Sequence, residues 1–368
     1  MAKDTAILFA AALTLFTLHF QSTFTELVYP DAKDYAQMGR HLMRGRGFVT
    51  SYITPLSLSI DPEIPHPNLW RAPLYPLLLS LSFHIFGTGD KVVVGLSGLF
   101  FLLCVALVYW LGRRMFDRPI ALASAALFLS NPRALHYSAS GLTEPLFLFL
   151  ILLFLFLAYK EKTSPILLGA ILGLSYLTRY NALVFGPAAL LFLWFTTRGS
   201  RTRVVVQFSS GFLAVIAPWL VRNWVVLGNP FFTLQSYEVA AFTQTYPDWD
   251  IYKTIHPPTP LHFIWTHKSL MLGKAAAGLL KFKDGLPRLA NFGIMSFFLV
   301  SIFHSQGCRR KDAFRYMLYL AACLQLMGLL LIQPLVRLFF PFLPFVIILG
   351  IYYLDHVLRK AFGERLKL

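Results

Sequence analysis

Long apolar runs alternate with short basic connections along most of this chain. Ten runs stand out: Thr5 to Phe20, Val92 to Leu111, Ile120 to Ser130, Pro145 to Ala158, Ile166 to Leu177, Ala182 to Phe195, Val204 to Leu220, Leu289 to Phe303, Tyr316 to Ile332 and Leu338 to Leu354. Several approach the roughly 20 residues that cross a bilayer as a helix. The pattern predicts an all-α polytopic membrane protein with about ten transmembrane helices, forming one domain over residues 1–368 and no separate soluble unit. The first run lacks a small-x-small cleavage site and reads as a retained signal anchor.

Every second connection is short and basic. Arg113, Arg114 and Arg118 follow the second run, Lys160 and Lys162 the fourth, and Arg198, Arg201 and Arg203 the sixth. Arg309, Arg310, Lys311 and Arg315 follow the eighth, and Arg359, Lys360, Arg365 and Lys367 the last. Basic residues collect on the cytoplasmic side, so both termini are expected there, with the plasma (inner) membrane as the site of residence. The long connections, about residues 21–91 and 222–288, then lie outside. Composition agrees: 57% of residues are hydrophobic and only 14% charged. In this setting the net charge of +16 is a topology signal and an attraction to anionic membrane lipids; no nucleic-acid partner is implied. Cys104 and Cys323 fall inside runs and Cys308 in a cytoplasmic connection, so no disulfide framework is expected.

Within the first outer connection, Tyr-Pro-Asp-Ala-Lys-Asp-Tyr opens a helical pattern in which Tyr35, Met38, Leu42 and Met43 share a face, and Gly45 and Gly47 end it. Such a helix would lie in the membrane interface. Asp31 there reads either as a helix N-cap, with Asp34 an acidic residue of the first turn, or as a catalytic carboxylate. Further on, Trp-Arg-Ala-Pro-Leu-Tyr-Pro precedes an apolar run, Leu77 to Phe86, that is too short to span and predicts a second interfacial helix. Arg71 in that motif either snorkels to headgroups or clamps a phosphate with its guanidinium fork.

More charges gather on the same side. Glu144 heads the fourth run in Leu-Thr-Glu-Pro-Leu; Arg179, Arg222 and Arg337 lie at outer ends of later runs. Singly each arginine reads as a headgroup contact. Together with Arg71 they run against the positive-inside trend and suggest an anionic, membrane-embedded substrate. His256, His262 and His267 lie in the second outer connection with Asp248 and Asp250, at spacings that match no metal signature, and read as solvated.

At these residues the chain resembles the C-type glycosyltransferases of family 39, which include protein O-mannosyltransferases and the aminoarabinose transferase of lipid A. The matching pieces are Pro-Asp-Ala-Lys-Asp-Tyr with Arg-Gly-Arg-Gly-Phe downstream, Arg-Ala-Pro-Leu-Tyr-Pro-Leu-Leu, Thr-Glu-Pro-Leu-Phe, Leu-Thr-Arg, Ala-Pro-Trp-Leu-Val-Arg-Asn with Gly-Asn-Pro, and Arg-Leu-Phe-Phe-Pro-Phe-Leu-Pro. The resemblance implies a GT-C fold with interfacial helices in the first outer loop, a polyprenyl-phosphate sugar donor used on the outer face, and an acceptor that is a lipid, a protein or a glycan. It implies Asp31 as the catalytic carboxylate, with Asp34 the second choice, and Glu144 as the acidic residue of the next outer loop. Arg71 matches the family's basic residue; Tyr75, Arg179, Arg222 and Arg337 join it as expected donor phosphate-binding residues.

The chemistry suits the residues. A sugar on a lipid phosphate already carries its leaving group, so no nucleotide and no glycine-rich loop are needed. A carboxylate deprotonates the acceptor hydroxyl, direct attack inverts the anomeric carbon, and arginines stabilise the departing phosphate. A divalent metal could share that task. The competing class is a transporter or lipid flippase, which would place charges along a path at the midplane; a non-catalytic scaffold explains the hydrophobicity but not the outer charges.

Overall fold

The computed structural model describes residues 2–160, 162–197, 199–304 and 307–363. Of the basic residues used for topology, Arg198, Arg365 and Lys367 lie outside the described residues. The first run forms α1 (Ala2–Thr23). The first outer connection then folds into α2 (Pro30–Met43), a two-residue antiparallel ribbon of β1 (Val49–Thr50) and β2 (His66–Pro67), the single turn α3 (Pro55–Leu58) and α4 (Leu74–Phe86). Next come α5 (Asp90–Met115), α6 (Arg118–Leu129), the short α7 (Pro132–Ser138), α8 (Glu144–Ala158), α9 (Pro165–Tyr176), α10 (Phe185–Thr196) and α11 (Arg201–Leu227). The second outer connection holds α12 (Pro260–Thr266) and α13 (Lys268–Gly285), and the chain closes with α14 (Phe292–Ser301), α15 (Arg309–Leu331) and α16 (Leu343–Phe362).

All ten apolar runs are helical. Five helical stretches, α1, α5, α11, α15 and Val336–Phe362, are long and apolar enough to cross a bilayer by length and composition alone. The others are shorter and packed among them. Helix α8 is apolar on every side, and Leu146, Phe147, Ile151, Phe154 and Leu155 are all buried in the core. A helix without a polar face belongs in such a position. Outward-facing side chains are apolar as well: Leu18, Leu81, Ile85, Val206, Leu213 and Val225 are exposed, as expected where lipid tails replace water.

The seventh run differs from expectation. Its helix continues past Pro218 to Leu227 and ends at Gly228 in the left-handed conformation, φ 69°, a common helix terminator. Arg222 therefore sits on the helix rather than after it. The second outer connection also carries helices of its own, α12 and α13, which hydropathy did not reveal because Lys268, Lys274, Lys281 and Lys283 interrupt the apolar pattern.

Charges meet at both ends of the bundle. At one end, buried Asp4 of α1 binds Arg118 of α6 (2.6 Å) and Tyr109 of α5 (2.6 Å). Arg359 of α16 reaches Asp117 at 3.1 Å, and Arg310 donates to the carbonyls of Ala158 and Tyr159 at the end of α8. The start of α1 and the end of α16 thus share this end. The opposite end carries α2, α4 and the second outer connection.

Between the ends, α9 and α11 cross backbone to backbone. A Cβ on Gly169 would overlap the carbonyl oxygen of Phe208, and one on Gly211 that of Ile166; a Cβ on Gly173 would lie 2.9 Å from Val215 Cβ. Small residues allow this approach where lipid gives helices no hydrophobic reason to associate. We expect Gly169→Ala and Gly211→Ala to lower the melting temperature in detergent, with overpacking costing about 1–3 kcal/mol or more. Gly95→Ala should not, since nothing lies within 4 Å of its Cβ position. Unchanged melting in all three variants would mean that α9 and α11 spread without cost.

Candidate active site

Pro30 occupies the first position of α2 and starts the helix with a fixed φ. The N-cap is Tyr29, which makes no side-chain cap bond. Asp31 is therefore inside the first turn and caps nothing, which overturns its reading as an N-cap. Its carboxylate points instead to two arginines: Arg71 Nη2 at 2.8 Å and Arg337 Nη2 at 3.2 Å. Asp34 lies one turn later and is buried. It accepts from Arg71 Nε at 3.0 Å and from Thr50 Oγ1 at 2.9 Å.

The series continues through Arg337, whose Nε also donates to Glu144 Oε1, and Arg179 Nη1 approaches the same oxygen at 2.9 Å. Asp34, Arg71, Asp31, Arg337, Glu144 and Arg179 thus form one alternating chain of acid and base. Five separate segments supply it, all from the end of the bundle opposite Asp4. Glu144 is 3% exposed and its Oε2 is buried without a partner among the described residues. Burial alone would raise the Asp31 carboxyl; Arg71 and Arg337 outweigh it and hold the group at about 2.

Local structure presents these groups. The β1–β2 ribbon carries Thr50 to Asp34 and brings Asn68 beneath Arg71. Asn68 Oδ1 accepts from the amides of Trp70 (3.0 Å) and Arg71 (2.8 Å), fixing the turn that launches the guanidinium. Tyr35 lies under the Arg71 guanidinium, 5.0 Å from ring centroid to Cζ. The amide of Leu74 donates to Leu177 O at 2.8 Å, joining the start of α4 to the end of α9 beside Arg179.

The charge chain borders a cavity of about 690 Å³, lined on one side by Asp31, Asp34, Arg71, Arg179 and Arg337. Two expected phosphate-binding residues do not line it. Tyr75 is fully buried, with its hydroxyl 2.9 Å from Ser97 Oγ and 3.1 Å from Gly141 O. It belongs with Leu79 and Phe83 to the buried face of α4, a spacing of four that the sequence already displays. Arg222 turns away to donate to Phe48 O at 3.3 Å and lies over the Trp219 ring. His256, His262 and His267 are exposed, as expected of solvated residues. Among the described residues no group of three His, Cys, Asp or Glu is placed to hold a metal ion, since the site's carboxylates face guanidinium groups.

One part of the lining was not foreseen. It includes Gln235, Glu238, Trp249 and Tyr252 from the second long connection. These residues follow no helical or strand period. Only their aromatic density hinted at a wall.

Comparison with known proteins agrees with this architecture. Residues 66–222 match the family model described as dolichyl-phosphate-mannose-protein mannosyltransferase. No curated protein matches the chain by sequence. Among solved structures, ArnT from Cupriavidus metallidurans bound to undecaprenyl phosphate superposes with a TM-score of 0.63 at 16% identity, covering 99% of this chain and 62% of ArnT. The oligosaccharyltransferase of Archaeoglobus fulgidus in the apo form gives 0.64 at 16% identity, over 98% of this chain and 51% of that one. Its complex with an inhibitory peptide and a dolichol-phosphate gives 0.60 at 15% identity, over 100% and 52%. The chain therefore spans about three fifths of the first and half of the second. Its fold is that of the C-type membrane glycosyltransferases. The likeness read from the loop motifs is borne out by the shared fold and by the family-model match over residues 66–222.

Glu144 joins Arg179 to Arg337 and so to the rest of the charge chain. Its removal would leave Arg179 without a carboxylate and Arg337 with Asp31 alone, and breaking a buried pair from one side costs roughly 3–5 kcal/mol. Glu144→Gln should therefore melt well below wild type in detergent, and Glu144→Gln/Arg179→Gln should regain part of the loss. An additive double mutant would show that the two side chains are not coupled.

Proposed function

We propose that the protein is an inverting glycosyltransferase that moves a sugar from a polyprenyl-phosphate-linked donor to an acceptor hydroxyl at the outer face of the membrane, with Asp31 as base. The observation that carries this reading is the position of Asp31, held between Arg71 and Arg337 on the wall of a cavity at the end of the bundle. There an aqueous acceptor and a lipid-borne donor head can meet. The family match and the lipid phosphates in the similar solved structures support the choice of donor.

In the free protein the three arginines are neutralised by the three carboxylates. A donor phosphate competes for Arg71 and Arg337, because guanidinium forks fit phosphate oxygens as well as carboxylates. As they turn to phosphate, Asp31 loses the charges that hold its proton affinity down, and it becomes a stronger base. It then takes the acceptor's hydroxyl proton while the acceptor oxygen bonds to the anomeric carbon and the bond from that carbon to the phosphate oxygen breaks. The electron pair leaves with the polyprenyl phosphate, whose growing charge the arginines stabilise. Asp31 suits the role better than Asp34: its side chain is 32% exposed against 6%, and Asp34 is engaged by both Arg71 and Thr50. Among the described residues, buried charged groups sit at the ends of the bundle or in the outer connections, not along a midplane path, which favours chemistry over transport.

Two experiments test this. Asp31→Asn should keep its fold and lose turnover with polyprenyl-phosphate-linked sugars on the order of a hundredfold or more. Asp34→Asn should act mainly on KM by loosening Arg71. The base works when deprotonated, so activity falls as pH drops through its pKa. Because kcat/KM reports the free enzyme and kcat the donor complex, the acid limb of kcat should lie at higher pH than that of kcat/KM. Full activity in Asp31→Asn refutes the assignment.

The end that holds Asp4 and Arg359 is proposed as cytoplasmic, since the basic connections gather there. Alkaline phosphatase, active only outside, should be inactive when fused after the last residue and active when inserted between His256 and Pro257. The reverse pattern would invert the topology.

A further inference from the structure

Glu238 is a buried acid on the cavity wall that the reaction above does not use. It is 6% exposed. Its Oε1 accepts from the Tyr252 hydroxyl at 2.8 Å. Among the described residues no donor reaches its Oε2. Burial pushes its carboxyl up to about 7, against the pull of the Tyr252 bond, Arg71 and Lys274. Its backbone is pinned: Lys274 Nζ donates to the carbonyls of Glu238 (3.1 Å) and Val239 (2.8 Å), which end the tight helical turn Leu234–Val239.

Aromatic rings frame this acid. Trp249 and Tyr252 stack at 5.4 Å with planes 17° apart, and Trp70 meets Tyr252 edge-on at 4.5 Å. Gln235 Nε2 donates to Trp70 O at 2.9 Å, and the amide of Leu234 donates to Leu69 O at 2.9 Å. These two bonds tie the second outer connection to the residues just before Arg71. An acid with an open oxygen, an aromatic face and a phosphate-binding arginine therefore share one cavity.

We propose that Glu238, Trp249 and Tyr252 form the subsite for the sugar ring of the donor, with Glu238 Oε2 accepting a hydrogen bond from a ring hydroxyl and the exposed Trp249 taking the ring's C–H face. This rests on the polyprenyl-phosphate reading above. A sugar has an apolar face and a rim of hydroxyl donors, which an aromatic ring and a carboxylate complement. The preferred sugar is neutral, because the Lys274 ammonium already stands beside Glu238. A site whose buried acceptor is left unpaired by the wrong ring discriminates strongly against it.

The test uses the full chain in nanodiscs and measures binding of undecaprenyl phosphate alone and of undecaprenyl phosphate carrying mannose, glucose, galactose or glucosamine. At least one neutral sugar should tighten binding by roughly tenfold or more over the bare lipid phosphate. Glu238→Gln, which keeps an acceptor for Tyr252, and Trp249→Ala should each remove that increment and leave binding of the bare lipid phosphate unchanged. The proposal falls if no neutral sugar adds affinity to the wild type, if both variants keep the increment, or if they weaken the bare lipid equally. If Glu238→Gln does not fold, Trp249→Ala decides alone. Arg71→Ala separates the two readings. Loss of bare-lipid binding there upholds the phosphate clamp whatever the Glu238 result, and unchanged binding refutes the clamp itself.

Discussion

Six charged side chains at one end of the bundle exist only as a set. An isolated carboxylate or guanidinium taken out of water costs several kcal/mol, and Asp34, Glu144, Arg71 and Arg179 are all largely shielded from solvent. The cost is offset because each acid faces a base and each internal member faces two. That demand couples the start of α2, the segment before α4, the start of α8, the end of α9 and the link between α15 and α16. These segments are separated by up to 306 positions in the chain, as between Asp31 and Arg337. This end of the fold is organised by the pairing; the β1–β2 ribbon and the Asn68 turn position its members.

The same set defines what the cavity can recognise. Equal numbers of acids and arginines leave it balanced when empty, so an incoming anion must displace carboxylates from guanidinium groups. Under the proposed reading that exchange does two things at once: it seats the phosphate and it releases the base. A site with free arginines would bind phosphate more tightly, but its carboxylate would lack this coupling to donor binding. The aromatic stack of Trp249 and Tyr252 with Glu238 lines the same cavity, and under the proposed reading it contributes shape and hydroxyl recognition instead of charge.

The middle of the molecule works by different physics. Apolar side chains face both core and lipid there, so burial alone does not choose a packing. Close backbone contact does, at Gly169, Gly173 and Gly211, where any side chain would collide with the facing helix. Ion pairs at the far end, centred on Asp4 and Arg118, then close the bundle around α5, α6 and α16.

Hydropathy marked the ten apolar runs that became helical and their order, because the free energy of removing a charge from water marks run ends directly in the sequence. The same logic marked Asp31, Glu144, Arg71, Arg179 and Arg337, charges next to hydrocarbon. Helical spacing could also have excluded Tyr75, which repeats with Leu79 and Phe83. Partners were another matter. Whether Asp31 capped a helix or met two arginines depended on residues 40 and 306 positions away, which no local pattern encodes. Arg222 looked equivalent to Arg337 until the longer α11 carried it behind the cavity to Phe48. Glu238 was invisible because it lies in an aperiodic loop whose position comes from two backbone-directed bonds to Leu69 and Trp70. Local sequence sets which segments are apolar and which charges must be satisfied. Long-range packing alone decides which charges satisfy one another, and so which of them face the cavity.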